Sequence, residues 1–145
     1  MKIYVGSDHA GYEAKEKLKE YLSSIGYEVD DKGPFSYNED DDYPDFIKPV
    51  AEAVAGDKGS FGMIVGKTGQ GEAMCANRVS GARAAEYYGG NNMEVIKLSR
   101  EHNDANILSF AAAFLSKEEV HEAIEIFLNT PFSGDERHIR RISKF

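Results

Sequence analysis

The sequence predicts a parallel α/β fold, and three observations predict it. Short apolar runs of strand length alternate with longer amphipathic runs of helical spacing. Helix start and stop residues fall at the ends of the amphipathic runs. A length of 145 residues with 41% hydrophobic side chains suits one compact core. A single domain spanning 1–145 is therefore expected, since no repeat, low-complexity tract or long linker divides the chain.

Five segments read as strands. Residues 2–6 (KIYVG), 61–65 (FGMIV), 82–86 (ARAAE) and 106–110 (NILSF) are the clearer ones, and 27–31 (YEVDD) is the weaker. Between the first two clear strands, Ala14, Leu18, Tyr21, Leu22 and Ile25 recur at helical spacing, so 11–25 is expected as an amphipathic helix stopped by Gly26. Pro44 suits a first helical turn, and Phe46, Val50, Ala53 and Val54 form the next stripe. Later helices are expected at about 91–101 and 117–129, the second opened by a Ser116-x-x-Glu119 capping box. A similar pattern, Ser133-x-x-Glu136, is expected to open the last helix.

Charge and cysteine content exclude several classes of function. Against 17 Lys and Arg stand 25 Asp and Glu, a formal net charge of -8, and basic residues cluster only at Arg137, Arg140 and Arg141. A nucleic-acid-binding surface is not expected. The lone Cys75 precludes an intrachain disulfide and a zinc-type ligand set, so no metal is expected. No run approaches the roughly 18 apolar residues of a membrane span, and the N-terminus enters a strand pattern at once. The expectation is a cytoplasmic protein without a membrane partner.

In open parallel sheets ligands bind beyond the carboxyl ends of the strands. The segment Gly66-Lys67-Thr68-Gly69-Gln70-Gly71-Glu72 follows a strand there and precedes a helical stretch, so its amides can face an anion. A P-loop is rejected, because that motif needs glycine where Phe61 stands. A dinucleotide fingerprint fails at Met74. The loop also reads as a plain strand-to-helix turn, and Glu72 as either a general base or a carboxylate complementing the helix dipole. Asp8 and His9 follow the first strand, where His9 suits a ligand site or simple packing. Asn38-Glu39-Asp40-Asp41-Asp42 reads as a solvated acidic loop, lacking the glycine and terminal glutamate of a calcium loop. Arg137 and Arg141 share one helical face with His138 between them, an arrangement that suits a phosphate or a solvated helix end. His102 and Asn103 lie before a strand rather than after one, so they reach such a crevice only if a second subunit carries them in.

Seven motifs in order resemble the ribose-5-phosphate isomerase B (RpiB/LacAB) family: Gly6-Ser-Asp-His-Ala-Gly11, Asp42-Tyr-Pro-Asp45, Gly69-x-Gly71, Ala76-Asn77, Gly81-Ala-Arg-Ala-Ala85, Glu101-His-Asn-Asp-Ala-Asn106 and Arg137-His138. The resemblance implies a Rossmann-like three-layer α/β/α sandwich with a five-stranded parallel sheet and a C-terminal helix involved in dimerisation. It implies a homodimer or tetramer of dimers that shares its active site between subunits, acts on a small-molecule sugar phosphate and needs no cofactor. The implied activity is interconversion of ribose 5-phosphate and ribulose 5-phosphate through an enediolate, a step of the pentose phosphate pathway. A six-carbon substrate such as allose 6-phosphate, or a catalytically silent sugar-phosphate-binding protein, are the alternatives.

Roles follow by the same resemblance. His102 assists ring opening with Asp8 in support, Asn103 holds substrate hydroxyls, and Tyr43 packs beside the sugar. His9, Arg137 and Arg141 bind the phosphate, with His138 in the same pocket. The Gly66, Lys67, Gly69 and Gly71 loop and the Thr68 hydroxyl stabilise the enediolate. Many members carry a cysteine base where Gly66 stands, whereas a subset resembles this chain in having glycine there and glutamate at Glu72, which makes Glu72 the base. A free glutamate, with a pKa of about 4.3, is ionised at neutral pH without special tuning. Lys67 replaces a usual glycine and Ala113 a usual phosphate-binding arginine, so Lys67 or Arg140 is expected to compensate.

Overall fold

A computed structural model describes residues 1–145. Five strands, β1 (Lys2–Ser7), β2 (Glu28–Asp31), β3 (Phe61–Gly66), β4 (Ala84–Tyr87) and β5 (Ile107–Ala111), form one parallel sheet in the order β2-β1-β3-β5-β4. Six α-helices surround it: α1 (Tyr12–Ser24), α2 (Pro44–Gly56), α3 (Gln70–Ala76), α4 (Glu94–Asn103), α5 (Lys117–Asn129) and α6 (Glu136–Ile142). A short 3-10 turn, His9–Gly11, joins β1 to α1.

The central strands are apolar on both faces because helices cover both. On one face Ile3, Val5, Met63, Val65, Leu108 and Phe110 pack with Leu18, Leu22, Ile96, Ile124 and Phe127 of α1, α4 and α5. On the other, Tyr4, Ile64 and Ile107 meet Ile47, Val50, Val54 and Ala76 of α2 and α3. Each buried branched or aromatic side chain contributes about 1.5–3 kcal/mol relative to exposure. The result is the Rossmann-like three-layer α/β/α arrangement.

Local chemistry sets the boundaries. Gly26 adopts φ 92° and the Tyr27 amide donates to the Leu22 carbonyl, a Schellman-type ending that stops α1 as expected. Ile25 falls outside the helix and is exposed, so it does not continue the apolar stripe. The fourth strand starts at Ala84 rather than residue 82, because the Ala82 amide closes a turn on Val79 and the Arg83 amide is taken by the Asn106 side chain. α4 begins at Glu94, later than expected, since Gly89, Gly90 and Asn91 all have positive φ and prolong the turn. Ser116 and Glu119 form the expected capping box on α5. The second expected box does not form. Gly134 turns the chain at φ 72°, Ser133 Oγ accepts from the Asp135 amide at 3.3 Å, and Asp135 becomes the N-cap of α6.

Two polar clamps hold the loops that carry the site. Lys15 is fully buried in α1, yet its Nζ pairs with Asp31 at 2.7 Å and donates to the Pro34 carbonyl at 2.9 Å, fixing the chain beyond β2. Losing one member of such a buried pair typically costs about 3–5 kcal/mol. Near β4, Asn77 donates to the Ala84 carbonyl and accepts from its amide at 2.9 and 2.8 Å. Arg83 and Arg100 each pair with Asp104 at 2.9 Å, which locks the left-handed turn (φ 46°) between α4 and β5.

Candidate functional site

The carboxyl edge of the sheet brings together residues from three loops. After β3 the chain turns through Lys67, Thr68 and Gly69, where Gly69 has φ 77° and serves as the N-cap of α3. The Ser109 hydroxyl donates to the Gly69 carbonyl at 2.7 Å and anchors the turn on β5. Within the chain, the amides of Lys67, Thr68, Gly69 and Gly71 donate to no acceptor. The Gln70 amide makes only a long 3.4 Å bond to Thr68 Oγ1, which leaves the threonine hydroxyl proton available. Such a row of unpaired donors forms a concavity for an anion.

Glu72 lies in the first turn of α3 and is 4% exposed. Its carboxylate rests against the Gly66 Cα, in the space that a β-carbon there would fill. Burial pushes its pKa above the ordinary carboxylate range, and the neighbouring Asp8 and Glu86 push the same way, against a hydrogen bond from its own amide. The carboxyl at position 72 is thus shifted upward from the free-glutamate value, with desolvation as the leading cause. Glu86 was not singled out in the sequence; it has a buried Oε1 without a hydrogen-bond partner, and burial raises its pKa too.

Tyr43 closes over this loop from the N-cap of α2. A β-carbon on Gly71 would stand 2.9 Å from the Tyr43 ring and 3.0 Å from its hydroxyl, so only glycine permits this approach. On the β1 side, Asp8 accepts from the Gly11 amide at 3.0 Å and caps the 3-10 turn. His9 binds Asp41 twice: its amide donates to Asp41 Oδ1 at 3.0 Å, and its Nδ1 lies 2.7 Å from the same oxygen. The bond to Asp41 raises the His9 pKa despite partial desolvation, with Asp8 and Glu39 adding to the effect. The reading of 38–42 as a wholly solvated loop is therefore wrong at Asp41, whose side chain is 7% exposed. Asp8, His9 and Asp41 bring one donor atom each within 4.8 Å of one another. Asp8 Oδ1, His9 Nδ1 and Asp41 Oδ1 are engaged in hydrogen bonds, the first with the Gly11 amide and the other two with each other.

The remaining expected residues lie at the opposite edge. His102 and Asn103 end α4, and α6 packs beside them. The Ser133 amide donates to the Glu101 carbonyl at 3.1 Å, and the His102 and His138 rings stack at 4.4 Å. His138 is 4% exposed, and its pKa is lowered first by burial and then by His102 and the two arginines. It supports the His102 ring from below. Arg137 and Arg141 are exposed and form no ion pair or hydrogen bond through their guanidinium groups. The five residues of β5 separate this group from the Glu72 loop, a span of about 16 Å at 3.3 Å per residue. One copy of the chain does not unite the two groups.

Cys75 is half-buried on α3 and burial raises its thiol pKa, which marks a packed thiol rather than a nucleophile. Lys67 is exposed, and its carbonyl accepts from the Ala113 amide at 3.1 Å, so its side chain leaves the backbone beside Ala113. Across the sheet, a cleft of about 320 Å³ lined by Ala14, Leu18, Phe110 and Leu115 contains none of the expected site residues. No helix is long and apolar enough to cross a membrane.

Comparison with known proteins bears on this arrangement. Residues 3–145 match a family model described as Ribose/Galactose Isomerase. A ribose-5-phosphate isomerase B from Mycobacterium leprae is 39% identical over 142 residues, covering 98% of this chain and 86% of the relative. A ribose 5-phosphate isomerase from Thermotoga maritima superposes with a TM-score of 0.91 at 40% identity, covering 99% of this chain and 95% of the other. Another structure, ribose-5-phosphate isomerase B from Mycoplasma genitalium with bound ribulose-5-phosphate, gives a TM-score of 0.91 at 35% identity, covering 99% and 92%.

Proposed function

The chain belongs to the Ribose/Galactose Isomerase family, and from that premise we propose that it interconverts ribose 5-phosphate and ribulose 5-phosphate, with Glu72 as the base that moves the proton between C2 and C1. The observation that carries the assignment is the buried Glu72 carboxylate lying against Gly66, beside four unpaired loop amides.

In the forward direction the opened aldose places C2–H at Glu72. The carboxylate takes that proton and the electron pair forms the C1–C2 double bond. Negative charge then collects on O1, where the amides of the 67–71 loop and the Thr68 hydroxyl meet it. Glu72 returns the proton to C1, and one proton passes from O2 to O1, giving the ketose. Losing one preorganised donor of this kind typically costs about 2.7–4 kcal/mol of barrier. The elevated Glu72 pKa helps both halves, because the same group must accept a proton and then release it.

His9 holds the phosphate on the β1 side, and Tyr43 covers the sugar. His102, Asn103, Arg137 and Arg141 act from a second copy of the chain, where His102 assists opening of the furanose ring and the arginines close on the phosphate. The separation of the two groups by the length of β5 supports that arrangement. A homodimer is the smallest assembly in which each site is complete. Lys67, next to Ala113, supplies the cation that the missing arginine would have supplied.

The test is solvent deuterium uptake. Ribose 5-phosphate incubated in D2O with the wild type is expected to gain deuterium at C2, and Glu72→Gln is expected to abolish exchange and turnover while binding persists. Exchange at the wild-type rate in Glu72→Gln would remove Glu72 from the reaction.

A further inference from the structure

The acidic loop before α2 has no evident task in the reaction just described, yet one of its carboxylates is folded inward. Asp41 lies 32 positions from His9 in sequence, and its side chain is 7% exposed. Oδ1 accepts from both the backbone amide and the Nδ1 of His9, at 3.0 and 2.7 Å. The other oxygen, Oδ2, is buried and has no donor. A carboxylate desolvated in this way is stable only against a strong compensating charge or dipole, and His9 supplies both contacts.

We infer that Asp41 is a positioning residue, holding His9 by its backbone amide and by its ring Nδ1 so that the free Nε2 faces the phosphate of the substrate. The inference rests on the proposed placement of the phosphate at His9. With Nδ1 taken by Asp41, only Nε2 remains to meet a ligand; the amide contact anchors the Asp41 carboxylate against the His9 backbone, and the Nδ1 bond restrains the ring torsions. The Tyr37 ring lies edge-on 6.3 Å from the imidazole and limits it on another side. The acidic groups around the ring are Asp8 on its own turn and Glu39 and Asp41 on the loop, and all three favour the imidazolium. An imidazolium donates a charge-assisted hydrogen bond to a phosphate dianion, whereas a neutral ring with the proton on Nδ1 offers Nε2 only as an acceptor. Asp41 thus extends phosphate binding to higher pH, although it touches neither the sugar nor the phosphate.

The full-length protein tests this with Asp41→Asn, Asp41→Glu and His9→Gln. KM and kcat for ribose 5-phosphate are measured from pH 6 to 9, and the His9 ring is titrated by NMR. Asparagine keeps an acceptor for the His9 amide but removes the charge. Asp41→Asn is expected to leave KM within about twofold at pH 6 and to raise it several-fold at pH 8, because a ring without its carboxylate partner gives up its proton at lower pH. Its kcat should change by less than about twofold, the His9 ring should titrate at lower pH than in the wild type, and Asp41→Glu should restore part of the wild-type profile. If His9→Gln raises KM but Asp41→Asn shifts neither the profile nor the ring titration, or lowers activity equally at every pH, Asp41 has no positioning role. If His9→Gln leaves KM unchanged at every pH, the phosphate is not at His9 and the underlying placement fails instead.

Discussion

A β-carbon at position 66 and the carboxylate of Glu72 would occupy the same space. The strand residue that ends β3 and the helix residue six positions later are therefore coupled: with glycine at 66, the glutamate swings into the strand tip and rests its carboxylate there. A side chain at 66 would evict it.

Gly66→Ala is accordingly expected to lower kcat by about 100-fold or more, with little change in KM, because it displaces the proposed base and leaves the proposed binding groups in place. The fold should persist, with Tm within a few degrees of the wild type. Steady-state kinetics and a thermal melt decide the matter; an unaltered kcat would mean that Glu72 does not act from the place it occupies.

The opposite placement of Glu72 and His102 predicts complementation. Glu72→Gln and His102→Ala should each be nearly inactive alone. After mixed refolding, half of random dimers carry one variant of each kind, and each of those has one site free of both substitutions. About a quarter of wild-type activity should return. Recovery no greater than the sum of the separate variants would show that the site is not shared.

Glu72 also predicts a pH-dependent gain in stability on substitution. Its pKa is higher in the folded protein than in the unfolded chain, so the folded state holds more protons between the two values and loses stability as pH rises through that window. Above it the cost of a buried, ionised carboxylate is fully present. Glu72→Gln should then raise Tm at pH 7 by roughly 2–4 °C, about 0.5–1 kcal/mol, and should give less benefit at pH 4. Differential scanning calorimetry at both pH values tests the sign; a variant less stable at pH 7 contradicts it.

Lys67 leaves the backbone next to Ala113, where its carbonyl accepts from the Ala113 amide at 3.1 Å. Lys67→Ala should raise KM for ribose 5-phosphate several-fold and change kcat little, with the effect shrinking at high salt. If both constants stay at wild-type values, Lys67 is not the substitute clamp, and Arg140→Ala becomes the variant to measure.

Much of this molecule was legible in the chain alone, and the reason is range. The capping box of Ser116 and Glu119, the stop at Gly26 and the alternation of strands and helices depend on partners within a few residues, so their patterns are written locally. The loop from Gly66 to Glu72 was recognisable because glycine is needed where φ is positive, at Gly69, and where Tyr43 closes on Gly71. Ser133 misled because a left-handed Gly134 intervened and passed the capping position to Asp135.

What the tertiary structure alone decided are contacts between distant segments, whose geometry depends on how the sheet and helices pack. Asp41 looked like one solvated acid among several, and only the return of its loop over the β1 turn makes it the partner of His9. The upward shift of Glu72 arises from burial against β3 and from Asp8 beyond β1 and Glu86 on β4, none of which its neighbours in sequence reveal. His102 and His138 stack because α6 folds back on α4, so His138 joins His102 at the end of the sheet away from Glu72. Local periodicity fixes which elements form; the free energy of packing them fixes which side chains meet.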